Sequence, residues 1–229
     1  MKLVIFDLGE TLVFYEGLGL SWKEHYQSAL EKAFKKIDYQ ITLNELEYCK
    51  EILIFYNTRE QHRIFEVKES EVLQRVAEVC NKRIDWQRFE LEFFNYFKRK
   101  AKPEETAINT LEYLKQKGIG IAVLSDAAYG MPKDLLVNDL GDLQKLIDVV
   151  YSSTDIGFRK PHPKGIEKLI KQFESGKDQV LFVGNEKKDI EVAINAGVKS
   201  LLLSKSDEYK DFGQTATIRR LSEVQQYIV

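Results

Sequence analysis

Residues 21–101 contain neither glycine nor proline, although the 229-residue chain holds 13 of the first and 4 of the second. A stretch this long without a helix breaker has to be largely helical, and what flanks it is not. Before it comes one short apolar run, KLVIFD at 2–7, which reads as a strand buried on both faces and ending in a carboxylate. Residues 8–20 hold Gly9, Gly17 and Gly19 and read as a loop, with 17–19 as a hinge into the helical block. Inside the block, Ser21 is expected to cap a helix reaching about Ile37. Thr42 caps a second, with Glu45 at capping-box spacing, Ser70 a third through Cys80, and Asp85 a fourth through about Lys100.

Pro103 ends this pattern. A helix over 104–117 stops at Gly118, and strands follow at 119–125, 148–152, 179–184 and 199–204, with a helix over 186–196 that stops at Gly197. Strands alternating with helices imply an α/β fold with a doubly wound, Rossmann-like parallel sheet. One strand of that sheet precedes the helical block, so the block is an inserted helical-bundle cap. The expected division is a core of 1–15 with 103–229 and a cap of 16–102. The run Trp86, Phe89, Phe93, Phe94, Phe97 has helical spacing and reads as cap core. His25, His62 and His162 read as surface or loop-shaping residues.

Composition narrows the class. Lys and Arg number 34 against 36 Asp and Glu, a net charge of −2, which argues against a surface built for nucleic acid or an anionic membrane. Two cysteines, Cys49 and Cys80, make no disulfide framework, and no apolar run approaches the ~20 residues that span a bilayer. The first run is too short for a signal-peptide core, so a cytoplasmic protein is expected, monomer or homodimer.

Open α/β sheets bind ligands beyond the carboxyl ends of their strands. There the sequence places Asp7-Leu8-Gly9-Glu10-Thr11, then Ser125-Asp126, then GFRKPHP at 157–163, then GNEKKD at 184–189. A carboxylate can act as a nucleophile toward phosphorus, a hydroxyl and a lysine can hold phosphate oxygens, and a second acidic group can share a divalent cation.

These four motifs, in order and at the expected element ends, resemble the haloacid dehalogenase-like hydrolase superfamily, and the insertion resembles its C1-type cap. The resemblance implies a Mg²⁺-dependent phosphomonoester hydrolase acting on a small phosphorylated metabolite through an aspartyl-phosphate. It implies Asp7 as nucleophile, Ser125, Asp126 and Lys160 at the substrate, and Asp7, the Gly9 carbonyl, Asn185 and Asp189 around the metal, with Glu186 assisting. Two departures touch mechanism. Gly9 stands where the family's phosphatases carry a second aspartate that serves as acid and base, and Glu10, one residue on, is expected to point elsewhere. Asn185 stands where the first acid of the fourth motif is usual, which implies weaker Mg²⁺ binding. The other functions compatible with these residues are a binding or regulatory protein that has lost turnover and a metal-independent dehalogenase.

Overall fold

The computed structural model describes residues 1–19, 21–80, 83–98, 101–206 and 210–228. Along the chain run β1 (Leu3–Phe6), β2 (Val13–Tyr15), α1 (Tyr26–Lys36), α2 (Leu43–Tyr56), α3 (Glu71–Ala77), α4 (Trp86–Lys98), β3 (Ala101–Pro103) and α5 (Ala107–Gln116). Then come β4 (Gly120–Ser125), α6 (Lys133–Asn138), β5 (Val149–Ser152), α7 (Ser153–Ile156), α8 (Lys164–Gln172), β6 (Val180–Gly184), α9 (Lys187–Ala196), β7 (Lys199–Leu203) and β8 (Ala216–Ile218).

Six strands form one sheet in the order β5-β4-β1-β6-β7-β8, and every pairing is parallel. The first strand of the chain lies in its interior: Leu3–Phe6 are in register with Gly120–Val123 on one side and Val180–Val183 on the other. All four residues of β1 are fully buried, which is why the run is apolar without alternation. Its side chains still divide between two layers. Val4 and Phe6 pack with Ile121, Val183 and the α5 residues Leu111 and Leu114; Leu3 and Ile5 pack with Leu124, Phe182 and residues of α8 and α9. The sheet is therefore covered on both faces, an α/β Rossmann-like core, and the helices α1–α4 are an insertion after its first strand.

The two crossings into and out of the insertion are tied together by a ribbon absent from the sequence reading. Val13 pairs with Pro103 and Tyr15 with Ala101, antiparallel. Within the insertion, α1 lies on α4 with Phe34 stacked on Phe89 at 4.4 Å between ring centroids. Phe89, Phe93, Phe94 and Phe97 are fully buried, as their spacing requires, while Trp86 is half-buried. Cys49 is buried and Cys80 half-buried, both unpaired, and burial pushes their thiols up to about 12 and about 11.

The caps divide. Thr42 and Glu45 form the expected capping box. The Asp85 carboxylate accepts from the Arg88 amide at the start of α4, whose expected last two positions, 99 and 100, lie outside the described residues. Ser21 does not cap: its hydroxyl accepts from the Lys23 and Asn57 nitrogens at a turn, and α1 begins only at Tyr26. Ser70 precedes α3 but sits at φ +63°, and its hydroxyl is drawn away to donate to Glu90 Oε2 at 2.8 Å.

That bond leaves Glu90 exposed to an electrostatic cost. Its Oε1 is buried without a partner. Burial pushes its carboxyl up from 4.5 to about 7, against the Ser70 hydrogen bond and with a contribution from Glu69. The folded protein thus holds a proton there that the unfolded chain releases near 4.5, so stability falls as pH rises from 4.5 toward 7. Glu90→Gln is expected to flatten that decline and to stabilise the protein at about pH 8 by roughly 1 kcal/mol, allowing for the water that still reaches the group. Urea unfolding at about pH 5 and about pH 8 measures it; an undiminished slope in the variant removes Glu90 as its source.

Candidate active site

The four sequence motifs meet at the carboxyl end of β1. Asp7 is the first residue past the strand, 6% exposed, its amide fixed to the Val183 carbonyl at 2.8 Å. Lys160 comes from the loop after α7 and is equally buried. Its Nζ donates to Asp7 Oδ1 and to Asp189 Oδ1, each at 2.5 Å. The two carboxylates keep the ammonium charged well above its ordinary value, although burial works in the opposite direction. Burial pushes the Asp7 carboxyl up, Lys160 pulls it back and Asp189 adds to the rise, leaving it at about 7.

Asp189 is fully buried at the third position of α9. Its Oδ2 accepts from the amides of Asn185 at 3.1 Å and Glu186 at 2.9 Å. Gly184 makes this possible: a Cβ there would stand 2.4 Å from the Cβ of Asp189. With both oxygens committed, Asp189 orients Lys160 and the start of α9. The resemblance implied a metal ligand at this position, and here each of its oxygens accepts at least one hydrogen bond.

Asp126, expected at the substrate, lines the same pocket as Asp7. Its Oδ1 accepts from the Lys160 amide at 3.0 Å, and its Oδ2 faces Lys188 at 3.1 Å and Arg159 at 3.7 Å. Burial alone would raise its carboxyl, but Arg159, Lys188 and Lys160 hold it well below the usual carboxylate range. Through the Lys160 amide it ties the end of β4 to the lysine loop. Ser125, at the last position of β4 and 7% exposed, lines the same pocket as Asp7.

The residues were tested for a hard cation. Among the described residues no three Asp, Glu, His or Cys side chains converge to hold a metal. Asp7, however, has one oxygen beyond Lys160's reach, and the Gly9 carbonyl accepts no hydrogen bond among the described residues. The Asn185 Oδ1 takes only a long 3.3 Å bond from the Thr11 hydroxyl, which joins the loops after β1 and β6. One carboxylate and two neutral oxygens suit a Mg²⁺ ion that keeps most of its water.

Gly9 and Glu10, where the sequence departs from the family pattern, both line the pocket with Asp7. Glu10 sits at φ +57°, and its Oε1 accepts from the Tyr15 amide at 3.2 Å. At Gly9 a Cβ would meet only Tyr15 Cε2, at 3.7 Å, an ordinary contact.

The helical insertion closes the other side. Arg59, between α2 and α3, forms a two-pronged ion pair with Glu186, Nη2 to Oε1 at 2.7 Å, and both line the pocket with Asp7. Phe65 bridges Phe158 in antiparallel fashion, with the Glu66 amide on the Gly157 carbonyl and the Arg159 amide on that of Ile64. Beneath this lies the buried Glu66 carboxylate, which accepts from Arg159, from Arg63 and from the Ser153 hydroxyl at 2.5 Å. None of these cross-contacts was read from the sequence. Arg159 lies inside GFRKPHP and Lys188 inside GNEKKD, the available signals; Arg59 and Glu66 carry none. His162 stacks on Phe158 at 4.0 Å, as a loop-shaping residue should.

Comparison with known proteins agrees with the motifs. Residues 4–203 match the haloacid dehalogenase-like hydrolase family, and the chain belongs to it. Among curated relatives, pyrophosphatase PpaX of Bacillus mycoides (strain KBAB4) is 30% identical over 100 residues, 44% of this chain and 46% of that protein. Phosphoglycolate phosphatase of Aquifex aeolicus (strain VF5) is 31% identical over 102 residues, 44% and 47%. The aligned part of the chain thus spans about half the length of these relatives. Among solved structures, a 2-haloacid dehalogenase from Pseudomonas syringae pv. Tomato DC3000 superposes with a TM-score of 0.71 at 21% identity, covering 99% of this chain and 97% of that one. At that identity the likeness establishes the fold. Among the described residues no helix is long and apolar enough to cross a membrane.

Proposed function

We propose that this chain is a phosphomonoester hydrolase that works through an aspartyl-phosphate on Asp7 and takes a small phosphorylated metabolite. The observation that carries the reading is the buried Lys160 ammonium 2.5 Å from Oδ1 of Asp7, which lines a pocket shared with residues of the helical insertion. The names of the curated relatives, a pyrophosphatase and a phosphoglycolate phosphatase, support phosphorus chemistry.

In this reading the Asp7 carboxylate attacks phosphorus and the leaving oxygen departs. Water then attacks the same phosphorus, the bond to Asp7 breaks, and phosphate leaves. Lys160 balances the charge of the nucleophile and of the entering phosphoryl group, and the Ser125 hydroxyl donates to a phosphoryl oxygen. Asp189 and Asp126 are positioning residues for Lys160. Asp7, the Gly9 carbonyl and Asn185 would hold Mg²⁺, which when bound supplies charge neutralisation at the phosphoryl oxygens. The division into a core of 1–15 with 103–229 and a cap of 16–102 belongs to the same proposal, with Arg59–Glu186 and the Phe65–Phe158 bridge as contacts between the two.

The test is phosphate release from a panel of phosphomonoesters with and without Mg²⁺, alongside halide release from 2-haloacids. Magnesium-dependent phosphate is expected. Halide without metal would move the protein to the dehalogenases, a reading favoured by Gly9, since halide needs no proton. Binding without turnover would make it a regulatory protein. Asn185→Asp adds a formal charge at the cation and is expected to lower the half-saturating Mg²⁺ concentration by about tenfold. No fall in that titration means Asn185 is not a ligand.

A further inference from the structure

We infer that the pocket is built for aryl phosphomonoesters, whose leaving group is a flat, apolar phenol that departs as its anion. The inference deepens the phosphatase reading and rests on it. Two separate features of the molecule lead to the same substrate chemistry.

The first is the missing proton donor. Gly9 brings no carboxylate, and Glu10 is engaged within its own loop. Its backbone is turned into the left-handed region and its Oε1 is engaged by the Tyr15 amide. The charges that act on Glu10 are Lys205 and Glu186. When the phosphorus–oxygen bond breaks, the oxygen keeps both electrons and leaves as ArO⁻, while phosphorus passes to Asp7. Water then attacks the aspartyl-phosphate, restoring the carboxylate and releasing H₂PO₄⁻. The balance, ArOPO₃²⁻ plus H₂O giving ArO⁻ and H₂PO₄⁻, needs no protein acid. A phenol tolerates this departure because its anion is stable, with a pKa near 10 or below; a simple alkanol does not.

The second is the group of apolar and aromatic side chains in the lining of the pocket that holds Asp7. It is formed by Trp22, Tyr56, Tyr129, Met131 and Leu136. Trp22 is half-buried and lies flat on Phe97, centroids 4.0 Å apart and planes within 8°, which fixes the plane of its ring. Tyr129 stands beside it at 6.0 Å. Tyr129 is held at φ +53°, a conformation that is costly for an aromatic residue. Its hydroxyl is anchored to that of Tyr26, which also accepts from Asn57 Nδ2 at 2.9 Å. Strain held in place by a buried hydrogen-bond chain, so that an aromatic face meets the pocket, fits a wall that receives a ring. Such contacts are worth roughly 2- to 10-fold each in affinity beyond simple burial.

The experiment measures kcat/KM of the full chain, with Mg²⁺, for substituted phenyl phosphates from nitrophenyl to phenyl, for a simple alkyl phosphate and for acetyl phosphate. Acetyl phosphate has a good leaving group and no ring. The expected result is a steep dependence on leaving-group pKa, with phenyl phosphate at least about 10²-fold above the alkyl ester, the scale of an absent general acid. Gly9→Asp should flatten the dependence. Trp22→Ala should raise KM for phenyl phosphate about tenfold while acetyl phosphate changes by less than about threefold. If Trp22→Ala fails to fold, seen as loss of acetyl phosphate turnover and of the unfolding transition, Met131→Ala carries the same comparison. Alkyl and aryl esters turned over equally would overturn the inference. So would a shallow dependence that steepens in Glu10→Gln, which would make Glu10 the acid, and so would equal losses for phenyl and acetyl phosphate in folded wall variants. No phosphate from any compound, acetyl phosphate included, would instead defeat the phosphatase reading itself.

Discussion

Asp7→Asn is expected to lower phosphate release by on the order of 10³-fold or more, about 4 kcal/mol of transition-state stabilisation, and to leave the protein folded. An amide oxygen is a poor nucleophile toward phosphorus, and no other uncommitted carboxylate among the described residues stands at Lys160. Glu186 is paired with Arg59, and Asp126 and Asp189 are tied to the loops they position. Stability should hold because the ionised Asp7 is a burden on the fold as well as a partner for Lys160: burial alone pushes its carboxyl upward. Asparagine keeps an oxygen for the ammonium at 2.5 Å and removes a buried charge. Steady-state phosphate release and urea unfolding test both halves. Activity within tenfold of wild type rejects Asp7 as nucleophile. Lost activity accompanied by loss of the unfolding transition would show that Asp7 is needed for folding.

The elements that were legible in the sequence are those whose signal is local. The interior strands β1, β4 and β6 announce themselves as apolar runs because both faces are covered. The glycine-free block announces its helices, and the Thr42–Glu45 spacing its cap. The missed strands are those created by pairing at a distance. Val13–Tyr15 and Ala101–Pro103 are three-residue strands that exist because the chain returns to the same place after the insertion. Nothing within either triplet predicts that. Ala216–Ile218 is likewise a short edge strand defined by β7.

The site divides along the same line. Asp7, Ser125 and Lys160 follow from position at strand ends, and their convergence follows from the parallel sheet. The tasks of Asp126 and Asp189 depend on which oxygens are already engaged. A sequence shows a carboxylate without showing its partners, so the contacts of both with Lys160, of Asp126 with Arg159, and of Asp189 with the two amides just before α9 could not be read from it. The roof was least legible of all. Arg59, Glu66 and Trp22 sit in the insertion, where an arginine, a glutamate or a tryptophan on a helical stretch is unremarkable until the fold brings it over the pocket.

Lys160→Met should be the most damaging single change in the core, and for two reasons that can be separated. The ammonium lies between two buried carboxylates, at 2.5 Å from each, with side-chain exposures of 8% at Asp7 and 0% at Asp189. Removing one partner of a buried ion pair leaves the other charge uncompensated, at a cost of about 3–5 kcal/mol; here two carboxylates are left facing each other. The same change removes the cation that meets the phosphoryl charge, a loss of about 10²–10³-fold in kcat. Arginine should rescue neither, since its planar fork is larger than an ammonium and the lysine side chain is 2% exposed in a filled site. Asp189→Asn in the Lys160→Met background removes one of the two facing charges and is expected to recover much of the stability and none of the activity. Recovery of both would mean that Lys160 serves the fold alone. Urea unfolding and phosphate release on the single and double variants give the two quantities independently, and the catalytic assignment of Lys160 stands on their moving apart.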